Sequence, residues 1–255
     1  DLMRWISHRY GFGTYVHYIE DYLTESTNLE AIAAKKRLLK ITSTMRSNVY
    51  VDTLISPSYT SALAQIIQLP GVSGHENNML MFEFSKNEPD NLQDIINNYS
   101  LITSVDFDLM ILASSEKGFG IKKEIHVWIS NEELDDANLM ILIAYIILGH
   151  SDWASGLIKI FAVFPEENMK QEKERLINIT STGRLPISAN NIEVIPQETG
   201  IHEKMLIQRY SQDADLTLVG FNDEDVDEYG SEYFEGYDEL SSVLFVNSTK
   251  EKEIK

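Results

Sequence analysis

The chain has 255 residues, 43% of them hydrophobic, enough for one large domain or two small ones with a sizeable core. It carries 21 Lys and Arg against 40 Asp and Glu, a formal net charge of −19; this argues against nucleic acid or an anionic membrane surface as a direct ligand, because both bind through basic patches. It contains no cysteine, which excludes disulfides and thiolate metal sites and is compatible with a reducing, cytosolic setting.

Runs of apolar, β-branched residues alternate with helical patterns from end to end. Residues 1–10 read as a helix and 13–20 as a strand. A helix over 29–45, a strand over 48–55, a helix over 58–68 and a strand over 79–84 follow. A helix over 90–99 and a strand over 106–113 complete a first half. The second half reads as strand 124–129, helix 136–148, strand 157–164, helix 166–179 and strand 191–195. It continues as helix 201–210, strand 215–220, helix 228–240 and strand 242–247. Strands separated by helices predict parallel pairing in an α/β fold, a mostly parallel sheet with helices on both faces. The segment Gly118-Phe119-Gly120-Ile121-Lys122-Lys123 is the expected joint, giving one α/β body with halves 1–120 and 121–255. Asp1 is not a start methionine, and residues 2–6 read as the inside of a helix. The expectation is a fragment whose first strand is missing from the chain.

The longest apolar run, residues 139–148, is ten residues. A membrane span needs about 20, so this run reads as a buried helix, and no direct membrane insertion is expected. The turn before it offers Asn131, Glu132, Glu133, Asp135 and Asp136. It has no glycine, lysine, serine nucleophile or cysteine, and it would repel a phosphate. A βαβ unit delivers chemistry at the carboxyl ends of its strands; this one reads as built to pack.

Residues 222–239 hold nine carboxylates and no base. Asp223, Asp225 and Asp227 have the one-three-five spacing of a calcium loop. Glu228 and Phe234 stand where that loop needs glycine and glutamate, so the run reads as a solvated acidic helix start. Tyr229, Tyr233, Phe234 and Tyr237 share a face of the expected helix and predict packing on the sheet, with a subunit contact as the sharper reading. The pairs Gly11/Gly13 and Gly118/Gly120 lack a third glycine and precede strands, so they are turns and not a dinucleotide fingerprint. His8, His17, His75, His126, His150 and His202 show no metal-ligand spacing. Ser43 and Ser181 have no nucleophile signature. Lys35, Lys36, Arg37 and Lys40 occupy a solvated polar helix face. No catalytic, cofactor-binding or metal residue is expected, and no enzyme.

The central segment resembles the cytoplasmic carboxyl-terminal domain of the cation-chloride cotransporters, the Na-K-Cl and K-Cl symporter family. That family has a strand reading roughly IDVWW, an acidic turn, a helix reading LLIPYLL, a tryptophan, and a strand reading RVF. Here stand His126-Val127-Trp128-Ile129, Asp135-Asp136, Leu142-Ile143-Ala144-Tyr145-Ile146-Ile147, Trp153 and Lys159-Ile160-Phe161. Upstream, Gly71-Val72 and Asn78-Met79-Leu80-Met81-Phe82-Glu83-Phe84 are similar to the family's loop and strand. Downstream, Ala214-Asp215-Leu216-Thr217-Leu218-Val219-Gly220-Phe221 and Val243-Leu244-Phe245-Val246 are similar to its last two strands. Ile129 replaces a tryptophan and Ala144 a proline, and the turn's double glycine is absent. The likeness is nearer to prokaryotic members, since the long phosphorylated insertions of animal tails are missing.

The resemblance implies two universal-stress-protein-like halves joined side by side. It implies a non-catalytic regulatory and dimerisation domain at the cytoplasmic face of the cell membrane. Its partners would be a second copy of itself and the transmembrane transporter domain of the same polypeptide, with ion sites in membrane helices outside this chain. The homodimer is expected to be weaker than an obligate one. The alternative is a nucleotide-sensing universal-stress-type domain.

Overall fold

The computed structural model describes residues 1–9, 11–43, 48–72, 76–130, 134–183, 185–197, 200, 202–250 and 252, and of residues 134 and 135 the backbone only. The chain divides into two compact units, Asp1–Asn77 and Asn78–Lys255. The first unit holds α1 (Leu2–Ile6), β1 (Gly13–Glu20), α2 (Glu25–Ser43), β2 (Val49–Ser56) and α3 (Tyr59–Gln68). β1 and β2 pair in parallel from Gly13↔Val49 to Glu20↔Ser56. Helix α2 packs on these strands and buries only small residues, Thr27, Ala31 and Ala34. It starts before residue 29, where the apolar pattern begins. Thr24 and Thr27 cap it reciprocally, each hydroxyl accepting the other's backbone N–H at 3.2 and 2.9 Å.

The second unit holds β3 (Met79–Ser85), α4 (Leu92–Asn97), α5 (Tyr99–Thr103) and β4 (Asp108–Ser114). It continues through β5 (Glu124–Ser130), α6 (Leu134–Leu148), β6 (Leu157–Phe164), α7 (Met169–Thr182) and β7 (Ile192–Pro196). It ends with α8 (Glu203–Tyr210), β8 (Leu216–Gly220), α9 (Asp223–Tyr229) and β9 (Ser242–Asn247). Its seven strands lie in the order β3-β4-β9-β8-β5-β6-β7. After β3 and β4 at one edge the chain crosses to β5, runs outward through β6 and β7, then returns to β8 and β9 on the other side of β5. That is a doubly wound α/β arrangement. All neighbours are parallel but β4 and β9, which run antiparallel from Leu109↔Asn247 to Ala113↔Val243. The sheet is thus mostly parallel, as expected, with one antiparallel pair. β4 is followed by a loop and not by a crossover helix, so nothing forces it parallel to its neighbour.

β5 is buried from Ile125 to Ser130 and β9 throughout. Consecutive side chains point to opposite faces, so both faces of the sheet are covered. Helix α6 contacts β5, β6, β8 and β9. Trp128 and Trp153 are fully buried, Phe161 is buried and Tyr145 is half-buried.

The segment 118–123 lies inside the second unit, while the units part at residue 77. Asp215, at the start of β8, holds that segment. Its carboxylate accepts the backbone N–H groups of Ile121 at 2.9 Å, Lys123 at 2.6 Å and Glu124 at 3.0 Å. Gly118 and Gly120 are turn residues with φ of 60° and 46°. A Cβ on Gly120 would stand 2.0 Å from Asp215 Oδ1, so the anchor and the glycine require each other.

The helix expected over 228–240 is shifted. Asn222 and Asp225 form a capping box, with Asp225 N–H donating to Asn222 Oδ1 at 3.0 Å and Asn222 N–H to Asp225 Oδ2 at 2.9 Å. This starts α9 at Asp223. Gly230, at φ 55°, ends it, and a single 3-10 turn follows over Gly230–Tyr233. The helix expected over 90–99 likewise breaks at Asn98 into α4 and α5.

Candidate functional site

Alternation along β5 places Glu124, His126 and Trp128 on one face of the sheet. Register sets Lys159 beside His126 and Phe161 beside Trp128. Ser211, the C-cap of α8, joins them. His126 Nε2 lies 3.1 Å from Glu124 Oε2 and Nδ1 lies 2.9 Å from Ser211 Oγ. Trp128 Nε1–H donates to the same Oγ at 2.8 Å, and Lys159 Nζ donates to Glu124 Oε2 at 2.6 Å. An indole N–H only donates and a carboxylate only accepts. The carboxylate thus sets a proton on Nε2, and burial keeps the ring neutral, so that the Ser211 hydroxyl donates to Nδ1.

Burial depresses the basicity of His126. The Glu124 bond opposes that effect and the Lys159 charge adds to it. Burial alone would raise Glu124, but its bonds from Lys159 and His126 and the Lys159 charge outweigh this and hold it below the usual value. The unfolded histidine takes a proton near 6.5 and the folded one refuses it until lower pH, so stability is present above 6.5 and is lost as pH falls through that window. The depressed Glu124 acts below its own ordinary value of 4.5. Urea unfolding of the native chain should thus show a steeper loss than His126→Gln as pH falls below 6.5. Equal slopes would contradict the buried neutral imidazole.

The order serine, histidine, carboxylate is that of a nucleophile, its base and an orienting acid. Ser211 is 0% exposed, and its oxygen already accepts the Trp128 N–H. No substrate carbonyl reaches Oγ in this arrangement. The group lies toward the amino end of β5, whereas open α/β sheets bind ligands at the carboxyl ends of their strands. What the arrangement does is fasten the end of α8 to β5.

The carboxyl end, between β5 and β8, is where the strand order reverses. Asn131, Glu132 and Glu133 lie outside the described residues, as does the side chain of Asp135. Among the described residues of this end, Asp136 is buried and accepts the Ser248 N–H. Tyr99 donates its hydroxyl to Asp223 Oδ1 at 2.5 Å. Burial, that hydrogen bond and the charges of Asp223, Asp136 and Asp225 push the Tyr99 phenol far up, so it stays a donor. Asp108 accepts Thr249 N–H at 3.1 Å and Lys252 Nζ at 2.9 Å. Asn247 Nδ2 donates to the Phe221 carbonyl at 3.0 Å. Among the described residues this end carries mostly carboxylates and carbonyls, and its Lys250 and Lys252 are held by Asp106 and Asp108, so it is a poor phosphate site.

The remaining sequence candidates do not converge. Asp223 and Asp225 serve Tyr99 and the helix cap. Among the described residues, no three or more His, Asp or Glu are grouped to hold a metal ion. His150 and His202 cap short helices, accepting from Asp152 and Lys204 N–H at 3.0 and 3.4 Å. His75 lies outside the described residues. Ser43 donates to the Lys40 carbonyl, and Lys35 pairs with Asp52 at 2.8 Å. Phe234 and Tyr237 are buried edge-on against Phe245, with ring centroids at 5.0 and 5.3 Å. The Tyr233 hydroxyl donates to the Gly220 carbonyl at 2.8 Å. These aromatics pack on the sheet. Lys86, just past β3, donates to the carbonyls of Tyr237, Leu240 and Ser241. Burial lowers its ammonium to about 8 against the pull of Asp238. Sequence reading missed Ser211, which stands 85 residues from His126. It also read Asp215 only as the first residue of a strand.

No family model matches the chain, and no curated protein matches its sequence. Solved structures do match. The cytoplasmic domain of a prokaryotic cation chloride cotransporter superposes with a TM-score of 0.64 at 15% identity, covering 100% of this chain and 91% of that one. A putative universal stress protein from Pseudomonas aeruginosa UCBPP-PA14 gives 0.56 at 16% identity, covering 96% and 95%. A functionally unknown protein from Pseudomonas aeruginosa PAO1 gives 0.54 at 16% identity, covering 96% and 94%. At such identities the likeness is one of fold, an α/β fold with a mostly parallel sheet flanked by helices.

Proposed function

We propose that this chain is a non-catalytic regulatory and dimerisation module of a membrane cation-chloride symporter, placed at the cytoplasmic face. The observation that carries this reading is the likeness in fold over the whole chain to the cytoplasmic domain of a prokaryotic cotransporter. The sequence pattern from His126 to Phe161 points the same way. No helix among the described residues is long and apolar enough to cross a membrane, so the transported ions would pass elsewhere in the polypeptide. The buried network at Ser211 and the acidic switch point support a module that packs, pairs and relays and does no chemistry.

A second reading, a nucleotide-sensing domain, draws on the universal stress protein likeness. The carboxylates at the carboxyl end speak against it. Two measurements separate the readings. Removing residues 1–255 from the native protein should alter chloride-dependent potassium uptake in cells, and unchanged uptake would contradict the first reading. Calorimetric titration with ATP should give no saturable heat. A dissociation constant at or below about 1 μM, worth about 8 kcal/mol, would favour the second reading.

A further inference from the structure

Helix α2 is inverted relative to an ordinary amphipathic helix. It buries Thr27, Ala31 and Ala34 against β1 and β2. Leu29, Ile32 and Leu39 are 61%, 54% and 46% exposed. At about 100° per residue, Leu29, Ile32, Lys36 and Leu39 fall within about 80° of one another, on the side away from the buried residues. Their spacing of three, four and three is the seam of a coiled coil, with Lys36 as its one polar position. Just before the helix, Tyr22 and Leu23 are 71% and 75% exposed. The flank at Lys35 is occupied by its ion pair with Asp52.

We infer that this stripe is the two-fold interface through which a second copy of the chain binds, α2 lying antiparallel on α2. The inference rests on the dimeric reading above and names its surface. The stripe is self-complementary in one register, which is what an isologous contact requires. A two-fold axis passing between Glu30 and Ala31 sets Leu29 opposite Ile32 of the partner subunit. The same axis sets Lys36 opposite Glu25 of the partner subunit, and both positions are exposed. Leu39 then extends past the start of the facing helix, toward the exposed Tyr22 and Leu23 segment. A parallel pairing would instead set Lys36 against Lys36 and Glu25 against Glu25, which like-charge repulsion disfavours. Opposite charges at the seam fix direction and register more than they add affinity.

Sedimentation equilibrium of the intact chain tests this in about 0.1 M salt, where exposed charges still act over about 10 Å. The unmodified chain dimerises. Ile32→Glu weakens the dimer by at least about tenfold, as expected for a charge buried at an interface centre. Lys36→Glu weakens it by about threefold to tenfold, and adding Glu25→Lys returns the constant to within about threefold of the original. All these side chains are exposed, so the melting temperature of each variant stays near that of the parent. A dimer that Ile32→Glu leaves intact overturns the α2 interface while the dimeric reading stands. Charge reversal that is not rescued by the second reversal overturns the antiparallel register. A chain that stays monomeric at every concentration removes the dimeric reading itself, and this interface with it.

Discussion

Replacing Trp128 by alanine should lower stability by about 3–5 kcal/mol, the usual cost of truncating a buried aromatic. Trp128 is fully buried and stacks on Phe161 at 4.9 Å, with ring planes 15° apart. Tyr210 meets it edge-on at 6.3 Å. Its indole N–H also serves Ser211, so truncation leaves a cavity and an oxygen short of a donor. Trp128→Phe keeps most of the stacked surface and removes the donor, and should cost about 1–2 kcal/mol. Urea unfolding followed by circular dichroism gives both numbers. A loss below about 0.5 kcal/mol for the alanine variant, the range for surface sites, would contradict the placement of this residue.

Asp215→Ala comes next in expected size. One nearly buried carboxylate receives three backbone N–H groups of the segment 121–124. Charge-assisted bonds contribute about 1.5–3 kcal/mol each, less when they share one acceptor, and orphaned buried donors add to the loss. A destabilisation of about 3 kcal/mol is expected. Hydrogen exchange should localise it, with the amides of Ile121, Lys123 and Glu124 losing protection before the rest of β5. Unchanged protection at those three amides would show that the segment is held by something else.

The strands were the legible part of this fold. Residues 13–20, 157–164 and 242–247 are rich in β-branched and aromatic residues and bounded by turn residues, and their ends in the structure are the ends the pattern predicts. Helix α6 was legible because its apolar run is too long for a strand and too short for a membrane. Four features were not legible, each for a physical reason. The antiparallel contact of β4 with β9 joins residues more than a hundred positions apart, and alternation along a chain carries no direction for such a pair. The helix expected over 228–240 lost to local geometry, since the Asn222–Asp225 capping box starts a helix early and Gly230 ends it. The buried chain from Glu124 to Ser211 depends on where α8 ends, and no spacing in the sequence encodes that. Basic residues near Lys36 read as a solvated face, but the side of α2 that packs inward is the alanine and threonine side, which left leucine and isoleucine outside.

Under the proposed function the chain is one part of a larger, membrane-embedded polypeptide. Extraction of native membranes with alkaline carbonate, followed by detection with an antibody to this chain, tests it most directly. The account predicts that the chain stays with the membranes, in a polypeptide well above the 29.1 kDa of these residues. Release of a 29.1 kDa species into the soluble fraction would contradict it.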